Sequence, residues 1–400
     1  MRVALTESGP LQGRRVAVVG VGALSCAGVG VEALWNALQL PHAPSTKRVG
    51  DFATDHIGGP KELRRLDPFT LYALIAADEA WRSSGLVGPL EDAGCVVTSG
   101  IGGLQTILEQ VRVLNDKGAS RVSPFMVPMM MPNAATAAVS MRFGLGGPCE
   151  TVTTACAAGT HAIGNAARLV ASGRSTVAVA GGAEAVLVEI AEAGFRNMTA
   201  LSSTDFSRPF DRERDGFVMG EGAGVLIFEE MEHARARGAT ILAEVIGAAS
   251  TADAHHITAP DPMGRGAIRC MQLALEDADL APHEVSHINA HGTSTPLNDL
   301  AEAIAVHHVF GESAPPVTSV KGHLGHSLGA AGALEGVVSV MTLQRQVIPP
   351  TAGTTDVDPD ITLDVVVGAP RAHSMETVLS NSFGFGGHNG SVVFRRYQGD

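Results

Sequence analysis

One of the five cysteines, Cys156, stands in the sequence TTACAAGT, between an apolar run and an alanine- and glycine-rich stretch of helical character. The first N–H groups of a helix lack partners and the helix dipole is positive there, so a thiol in this place is expected to have a lowered pKa. Its small neighbours let a substrate carbonyl reach the sulfur. Cys156 is therefore a candidate nucleophile. We assign an ordinary structural role to the other cysteines: Cys26, Cys95, Cys149 and Cys270.

Two histidines also lie between apolar runs and helical patterns: His291 in INAHGTSTPLND and His326 in VKGHLGHSLGAAG. Ligands bind at the edge of an open α/β sheet where strands lead into helices. Two imidazoles facing a thiolate can hold a carbonyl or carboxylate oxygen and stabilise an enolate. His323 lies three residues before His326, but no acidic or thiol cluster accompanies it, so we do not expect a metal site.

The elements that must position these residues alternate along the chain. The predicted strands are residues 15–19, 94–97, 176–180 and 286–289, and the predicted helices are residues 67–84, 157–172, 263–278 and 328–344. Runs such as VAVVG and TVAVAGG are apolar throughout, which is typical of strands buried on both faces in an α/β protein. The segments around Cys156 and His326 share one strand, turn and helix plan, which indicates a duplicated unit.

Size and composition limit the possible functions. A chain of 400 residues is too long for one hydrophobic core and predicts two packed halves. The net charge of −13 argues against a general nucleic-acid binder. An odd number of cysteines without CxxC spacing indicates reduced thiols in a cytoplasmic protein. The uncharged stretch 122–141 contains three prolines, so we do not expect it to span a membrane.

Two glycine-rich segments are weaker signals. GVGALSCAG follows the first predicted strand but departs from GxGxxG spacing, so it does not predict a dinucleotide site. NSFGFGGHNG, residues 381–390, allows tight turns and backbone N–H groups that point at an anion.

Together these segments resemble the β-ketoacyl-[acyl-carrier-protein] synthases of the elongating type, classes I and II and most nearly class II, in the thiolase superfamily. The similarity runs from RVAVVGVGALSCAGVGVEALW to SNSFGFGGHNGSVVF and includes RPFDRERDGFVMGEGAGVLIFEE, NAHGTSTPLNDLAEA and GHSLGAAGA. It implies an α/β fold, the thiolase-like duplicated αβαβα five-layer sandwich. The N-terminal half, 14–247, would carry the nucleophile, and the C-terminal half, 248–397, the two histidines.

The resemblance also implies roles for individual residues. Cys156 matches the acyl-accepting nucleophile, His291 and His326 match the two catalytic histidines, and Lys321 matches a lysine that supports the site. The other implied residues are the supporting carboxylates Glu302, Glu335 and Asp299; Phe385, which gates the site and forms the oxyanion hole with the Cys156 N–H; Thr293 and Thr295 for the phosphopantetheine arm; Ile101 and Met126 for the acyl pocket, Met126 reaching the partner subunit; and Lys61, Arg64, Arg65 and Arg121 for carrier docking.

The implied reaction is a decarboxylative Claisen condensation of an acyl group on Cys156 with malonyl-acyl-carrier protein, as in fatty acid elongation. It needs no cofactor beyond the carrier's phosphopantetheine and no metal. The implied partners are acyl carrier protein and a second copy of the chain, with no nucleic acid. Gly322, His323 and Thr199 depart from the family pattern, and Thr199 replaces an expected arginine at the docking site. The stretch MVPMMMP, which begins at Met126, is also richer in methionine than is usual in the family.

Four related classes of protein share part of this pattern. A type II polyketide ketosynthase shares the same machinery, and would form a heterodimer with a chain-length factor. The non-catalytic chain-length factor itself lacks the nucleophile that Cys156 provides. A thiolase needs a second cysteine near its C-terminus, whereas the last one here is Cys270. The class III synthases use Cys-His-Asn, and His326 stands in the third place.

Overall fold

A computed structural model describes residue 11, residues 13–44 and residues 46–399. The strands are β1 Val16–Ser25, β2 Gly28–Val29, β3 Gly94–Thr98, β4 Cys149–Glu150, β5 Val177–Glu184, β6 Gly222–Glu230, β7 Ala243–Ala252, β8 His287–Asn289, β9 Val317–Thr318, β10 Val347–Ile348, β11 Arg371–Ala372, β12 Thr377–Gly384 and β13 His388–Arg396. The α-helices are α1 Val31–Leu38, α2 Pro60–Leu63, α3 Pro68–Ser84, α4 Leu104–Lys117, α5 Met126–Met130, α6 Ala134–Phe143, α7 Ala158–Ala171, α8 Glu189–Asn197, α9 Met231–Ala236, α10 Arg265–Ala278, α11 Pro296–Phe310, α12 Lys321–Leu324 and α13 Ala331–Arg345.

The main sheet has two halves with the same topology. The first half runs β4-β3-β5-β6-β1, and the second half runs β9-β8-β12-β13-β7. In each half the first two pairings are parallel and the next two are antiparallel. The halves meet where β1 pairs with β7 over only three residues. This equivalence confirms the duplicated unit that the sequence predicts.

Helices and half-sheets alternate in five layers with three hydrophobic cores between them. Helices α3 and α6 cover the outer face of the first half-sheet, α7 and α13 lie between the half-sheets, and α10 and α11 cover the second. Neighbouring residues of β5 face different cores, since Val177 packs toward α3 and Ala178 toward α7 and α13. The apolar runs are buried on both faces for this reason.

The predicted elements are confirmed, with shifts at their ends. The largest shift is in β1, which continues for six residues beyond the predicted strand 15–19. Its extension contains Gly20 and Gly22, where a Cβ would overlap the carbonyl oxygens of Ala80 and Ala76 in α3. The glycines of GVGALSCAG therefore let a helix approach a strand closely.

The predicted boundary between residues 247 and 248 stays a prediction. It falls inside β7, which holds the place in the second half that β1 holds in the first. In the described part of the chain, none of the helices combines the length and apolar character needed to cross a membrane.

Candidate active site

The nucleophile candidate Cys156 lies in a 3₁₀ turn, Ala155–Ala157, between β4 and α7. Only 7% of its surface is exposed. Burial raises the pKa of the thiol to about 11, opposed by the nearby Lys321 ammonium and by the backbone N–H groups of Phe385 and Cys156. The sequence predicts a lowered pKa, and the difference arises because the thiol is removed from water.

The two histidines lie side by side. His291 follows β8, and His326 lies in the turn between α12 and the 3₁₀ turn Leu328–Ala330. Their ring centroids are 5.4 Å apart, with the ring planes at 84°. Burial, and next the positive charge of Lys321, hold the pKa of both imidazoles well below the usual value. Both rings are therefore neutral hydrogen-bond donors at neutral pH.

Lys321 and Glu302 fix the backbone around His291. The Lys321 ammonium donates to the His291 carbonyl oxygen over 2.6 Å and pairs with the carboxylate of Glu335. On the other side, the Glu302 carboxylate accepts the N–H groups of His291 and Gly292, at 2.8 and 2.7 Å. Because all of these side chains are buried, the histidine has little freedom to move.

Asp299 connects the first turn of α11 to the RPFDRERDGF segment. Its carboxylate accepts the backbone N–H groups of Phe210, at 2.8 Å, and Ser294, at 3.1 Å. The buried Arg214 guanidinium lies 3.9 Å away. Asp299 thus joins the backbone that follows Thr293 to the segment that contains Phe210, and it does not line the cavity.

Cys156, His291 and His326 open onto one cavity of about 330 Å³. Thr293, Thr295 and Phe385 also line it. The threonine hydroxyls are 2.9 Å apart, and Thr295 also caps α11. Further lining residues include Phe195, Met198, Thr199, Phe217, Leu328 and Phe383.

The cavity is mainly apolar around two polar regions, one at the thiol and one at the threonines. The Phe217 ring meets the imidazole of His326 edge-on, with centroids 5.1 Å apart. Phe383 meets His291 in the same way at 5.9 Å. These contacts keep both imidazoles in place and exclude water from their sides.

The structure does not bring all the predicted residues to this cavity. Neither Ile101 nor Met126 lines it: Ile101 is 39% exposed in the loop after β3, and Met126 begins α5. The basic residues Lys61, Arg64, Arg65 and Arg121 are exposed, and none forms an ion pair with the described residues. Arg65 lies over the Phe125 ring, 4.2 Å from its centroid. This contact joins the basic segment after α2 to the one that contains Arg121.

The departures in VKGHLGH have structural explanations. At Gly322 a Cβ would overlap the carbonyl oxygen of Ala352, so the close approach requires glycine. His323 is fully buried, and its Nε2 lies 2.7 Å from the Leu40 carbonyl oxygen. Lys47 donates to the His323 carbonyl at 2.5 Å. His323 thus holds α12 against the segment after α1. Within the described residues no cluster of metal-ligating side chains occurs.

Sequence reasoning missed Glu184, a fully buried carboxylate at the end of β5. It accepts the Ser99 hydroxyl at 2.7 Å and the N–H groups of Gly100 and Gly329 at 2.8 and 3.0 Å. It thereby joins the loop that contains Ile101 to the turn after His326. A carboxylate directly after the apolar run VAVAGGA was the available signal, because such groups are seldom buried without partners.

Comparison with known proteins identifies the family. The family model for the β-ketoacyl synthase N-terminal domain matches residues 41–234, and the model for the C-terminal domain matches residues 242–355. The chain belongs to the β-ketoacyl synthase family and has its thiolase-like fold. A relative from Synechocystis sp., named 3-oxoacyl-[acyl-carrier-protein] synthase 2, is 43% identical over 413 residues, or 97% of this chain and 99% of the relative.

Solved structures agree with this assignment. A β-ketoacyl synthase from Burkholderia phymatum superposes with a TM-score of 0.89 at 35% identity, covering 96% of this chain and all of that one. A ketosynthase bound to a hexaketide, solved in complex with a type II polyketide acyl-carrier protein, has a TM-score of 0.89 at 32% identity. It covers 97% of this chain and all of that one.

Proposed function

We propose that the protein catalyses the decarboxylative condensation of an acyl group, held as a thioester on Cys156, with malonyl-acyl-carrier protein. The products are 3-oxoacyl-acyl-carrier protein, CO2 and free carrier, and the reaction elongates chains in fatty acid biosynthesis. The observation that carries the proposal is the convergence of Cys156, His291 and His326 on one cavity. The 43% identity to a relative named 3-oxoacyl-[acyl-carrier-protein] synthase 2 supports the same reaction.

In the loading step the Cys156 sulfur attacks the thioester carbonyl of the acyl carrier. The backbone N–H groups of Cys156 and Phe385 face the reacting sulfur and are the donors available for the oxyanion. The carrier's sulfur leaves and takes up the proton that the thiol loses. Forming a covalent acyl-enzyme divides one difficult step into two easier ones.

In the second step malonyl-carrier occupies the cavity, and its bond to the carboxylate breaks to release CO2. The electron pair remains as an enolate whose oxygen accepts hydrogen bonds from His291 and His326. Neutral imidazoles suit this role because they donate hydrogen bonds without protonating the carbon nucleophile. The aromatic walls of the cavity exclude water that would otherwise protonate the enolate.

In the third step the enolate carbon attacks the Cys156 thioester. The carbon–sulfur bond breaks, the cysteine leaves as a thiolate, and a proton from solvent restores the thiol. We propose no cofactor beyond the phosphopantetheine of the carrier. The hydroxyls of Thr293 and Thr295 line the cavity, where they can form hydrogen bonds with the amides of the phosphopantetheine.

The partner that we propose is an acyl carrier protein, docked at Lys61, Arg64, Arg65 and Arg121. These exposed cations form no ion pair with the described residues, and they form a positive patch on a chain whose net charge is −13. They are therefore available to an acidic carrier. The solved polyketide ketosynthase in complex with its carrier supports this kind of assembly.

We also propose that two copies of the chain form a homodimer. Strand β4 pairs only with β3 among the described strands, so it leaves one edge of the sheet open. Exposed apolar side chains lie in the segment that leads to β4, including Val127, which is 55% exposed, and Met141, which is 78% exposed. Light scattering coupled to size exclusion should give twice the mass of 41.2 kDa. A monomer at micromolar concentration would refute the dimer.

A type II polyketide ketosynthase is the second candidate, because a structure of that class superposes along nearly the whole chain. The two functions differ in the number of condensations before release. Purified protein is incubated with saturated acyl-carriers of increasing length and malonyl-carrier, and the products are identified by mass spectrometry. Single two-carbon extensions support elongation, multiple unreduced extensions support polyketide synthesis, and no extension of any acyl-carrier would refute elongation by this protein alone.

A further inference from the structure

The two N–H groups of the oxyanion hole belong to turns that are far apart in the sequence. Cys156 lies between β4 and α7, and Phe385 lies between β12 and β13. The turns touch, since a Cβ on Gly384 would lie 3.1 Å from the Cys156 nitrogen. Both N–H groups can serve one oxygen only if the two turns keep a fixed separation.

His161 contacts both sides of this junction. It lies in α7, is 7% exposed, and its Nδ1 is 2.7 Å from the hydroxyl of Thr154, two residues before the nucleophile. Its Nε2 is 3.0 Å from the carbonyl oxygen of Asn389 in β13. No step of the proposed reaction uses this imidazole.

The two contacts determine how the ring is protonated. A carbonyl oxygen can only accept, so Nε2 carries the hydrogen and donates to Asn389. Nδ1 then accepts the hydroxyl hydrogen of Thr154. Burial lowers the pKa of His161, in agreement with this neutral form.

Asn389 is in turn fastened to the loop that contains Phe385. Its side-chain amide donates to the Asp253 carboxylate at 2.7 Å. The backbone N–H of Asp253 donates to the Gly387 carbonyl at 2.9 Å. A continuous series of hydrogen bonds thus runs from Thr154 through His161 to the turn that presents the Phe385 N–H.

The nucleophile turn needs such an attachment. Ala155 has a φ of 50°, a left-handed conformation that is unfavourable for residues other than glycine. Strain of this kind persists only where the surroundings hold the backbone in place. Thr154 precedes Ala155, so its bond to His161 fixes one end of the strained turn.

We propose that His161 is a positioning residue that sets the separation of the two oxyanion-hole N–H groups. The inference rests on the proposed function, because the hole matters only if Cys156 accepts acyl groups. The imidazole does not touch the substrate. It acts by holding the turn of Cys156 against the loop of Phe385.

The test compares two reactions of the same sulfur. Acyl transfer from acyl-carrier develops an oxyanion, whereas alkylation by iodoacetamide displaces iodide and develops none. His161→Ala should slow single-turnover loading of Cys156 about ten- to a hundredfold, the usual effect of a small misplacement of catalytic groups. Alkylation, measured over a range of pH, should change less than threefold.

Thr154 provides a matched pair of variants that preserve packing. Thr154→Val removes the hydroxyl but keeps the shape, and should slow loading as His161→Ala does. Thr154→Ser keeps the hydroxyl and should retain the wild-type rate. The His161→Ala/Thr154→Val double variant should be no slower than the slower single variant, because both remove one hydrogen-bonded link.

Three outcomes would overturn the inference. In the first, loading stays at the wild-type rate in both His161→Ala and Thr154→Val. In the second, alkylation falls as far as loading, which would mean that His161 acts on the thiol or on folding. In the third, the wild-type protein itself fails to load, which would refute the proposed function as well. Wild-type loading therefore distinguishes failure of the inference from failure of the function.

Discussion

Cys156 and His326 occupy equivalent places in the two halves of the sheet. Cys156 lies between β4, at one end of the sheet, and α7; His326 lies between β9, at the other end, and α13. Both helices belong to the central layer, so the duplication brings the two residues to one cavity. The proposed nucleophile and one of the two groups proposed to stabilise the enolate thus lie in two copies of the same strand–turn–helix unit.

The first prediction separates the histidines from the nucleophile. Loading needs the sulfur and the oxyanion hole, whereas decarboxylation also needs donors for the enolate. His291→Ala or His326→Ala should slow CO2 release from malonyl-carrier about 100- to 1,000-fold, the usual effect of losing one such donor. Single-turnover loading of labelled acyl groups should fall much less.

His308, an exposed histidine in α11, provides the control substitution. His308→Ala should leave both steps unchanged. If His326→Ala slowed loading and decarboxylation equally, His326 would activate the thiol or maintain the site, and the division of roles would be wrong.

Local patterns were enough to predict the order of elements and the residues at the ends of strands. Apolar runs such as VAVAGG give strands buried on both faces, and the repeated plan around Cys156 and His326 gives the two halves. The direction of the Cys156 pKa shift could not be predicted this way. It depends on how completely distant segments cover the thiol, which the sequence around it does not record.

The second prediction concerns carrier docking. Arg64→Glu replaces a cation at the proposed surface and should raise the KM for acyl-carrier about five- to tenfold, with the effect reduced by added salt. Turnover of a small free thioester should stay nearly constant, because the cavity is unchanged. Arg64 is preferred to Arg65, whose guanidinium also packs on Phe125.

Arg174→Glu is the matched control for docking. Arg174 is exposed and follows the C-terminal end of α7, about 20 Å along the helix from Cys156. Arg174→Glu makes the same change in net charge as Arg64→Glu and should leave the KM for acyl-carrier unaltered. Equal increases in KM for the two variants would indicate a general charge effect and move the docking site elsewhere.

The third prediction concerns stability at acidic pH. His287 in β8 is fully buried, and neither ring nitrogen has a hydrogen-bond partner in the described part of the chain. Burial, with a smaller effect of His373, lowers the pKa of His287 to about 3. In the unfolded chain a histidine takes up a proton near pH 6.5. Between these values the unfolded state binds more protons, so stability is full above pH 6.5 and falls as the pH decreases.

Urea unfolding at pH 7 and pH 5 measures this effect. His287 alone should contribute a slope of up to about 1.4 kcal/mol per pH unit. His287→Leu should therefore lose less stability than the wild type on going from pH 7 to pH 5, whereas His308→Leu should behave as the wild type does. An unchanged pH dependence in His287→Leu would mean that His287 is solvated or paired in the folded protein.

Contacts between distant segments account for what the sequence did not reveal. Glu184 binds Gly100, more than 80 residues away, and His161 binds Asn389, more than 220 residues away. No local sequence motif therefore connects either residue to its partner. The glycines of β1 can be read from the sequence. The structural requirement for them, the close approach of α3, appears only when strand and helix are packed together.

The most direct test of the account is the site of acylation. Wild-type protein is incubated with acyl-carrier in the absence of malonyl-carrier, digested, and analysed by mass spectrometry. We expect one acyl group per chain, on the peptide that contains Cys156, and no adduct in Cys156→Ala. A stable acyl adduct in Cys156→Ala, or acylation of another residue in the wild type, would contradict the assignment of Cys156 as the nucleophile.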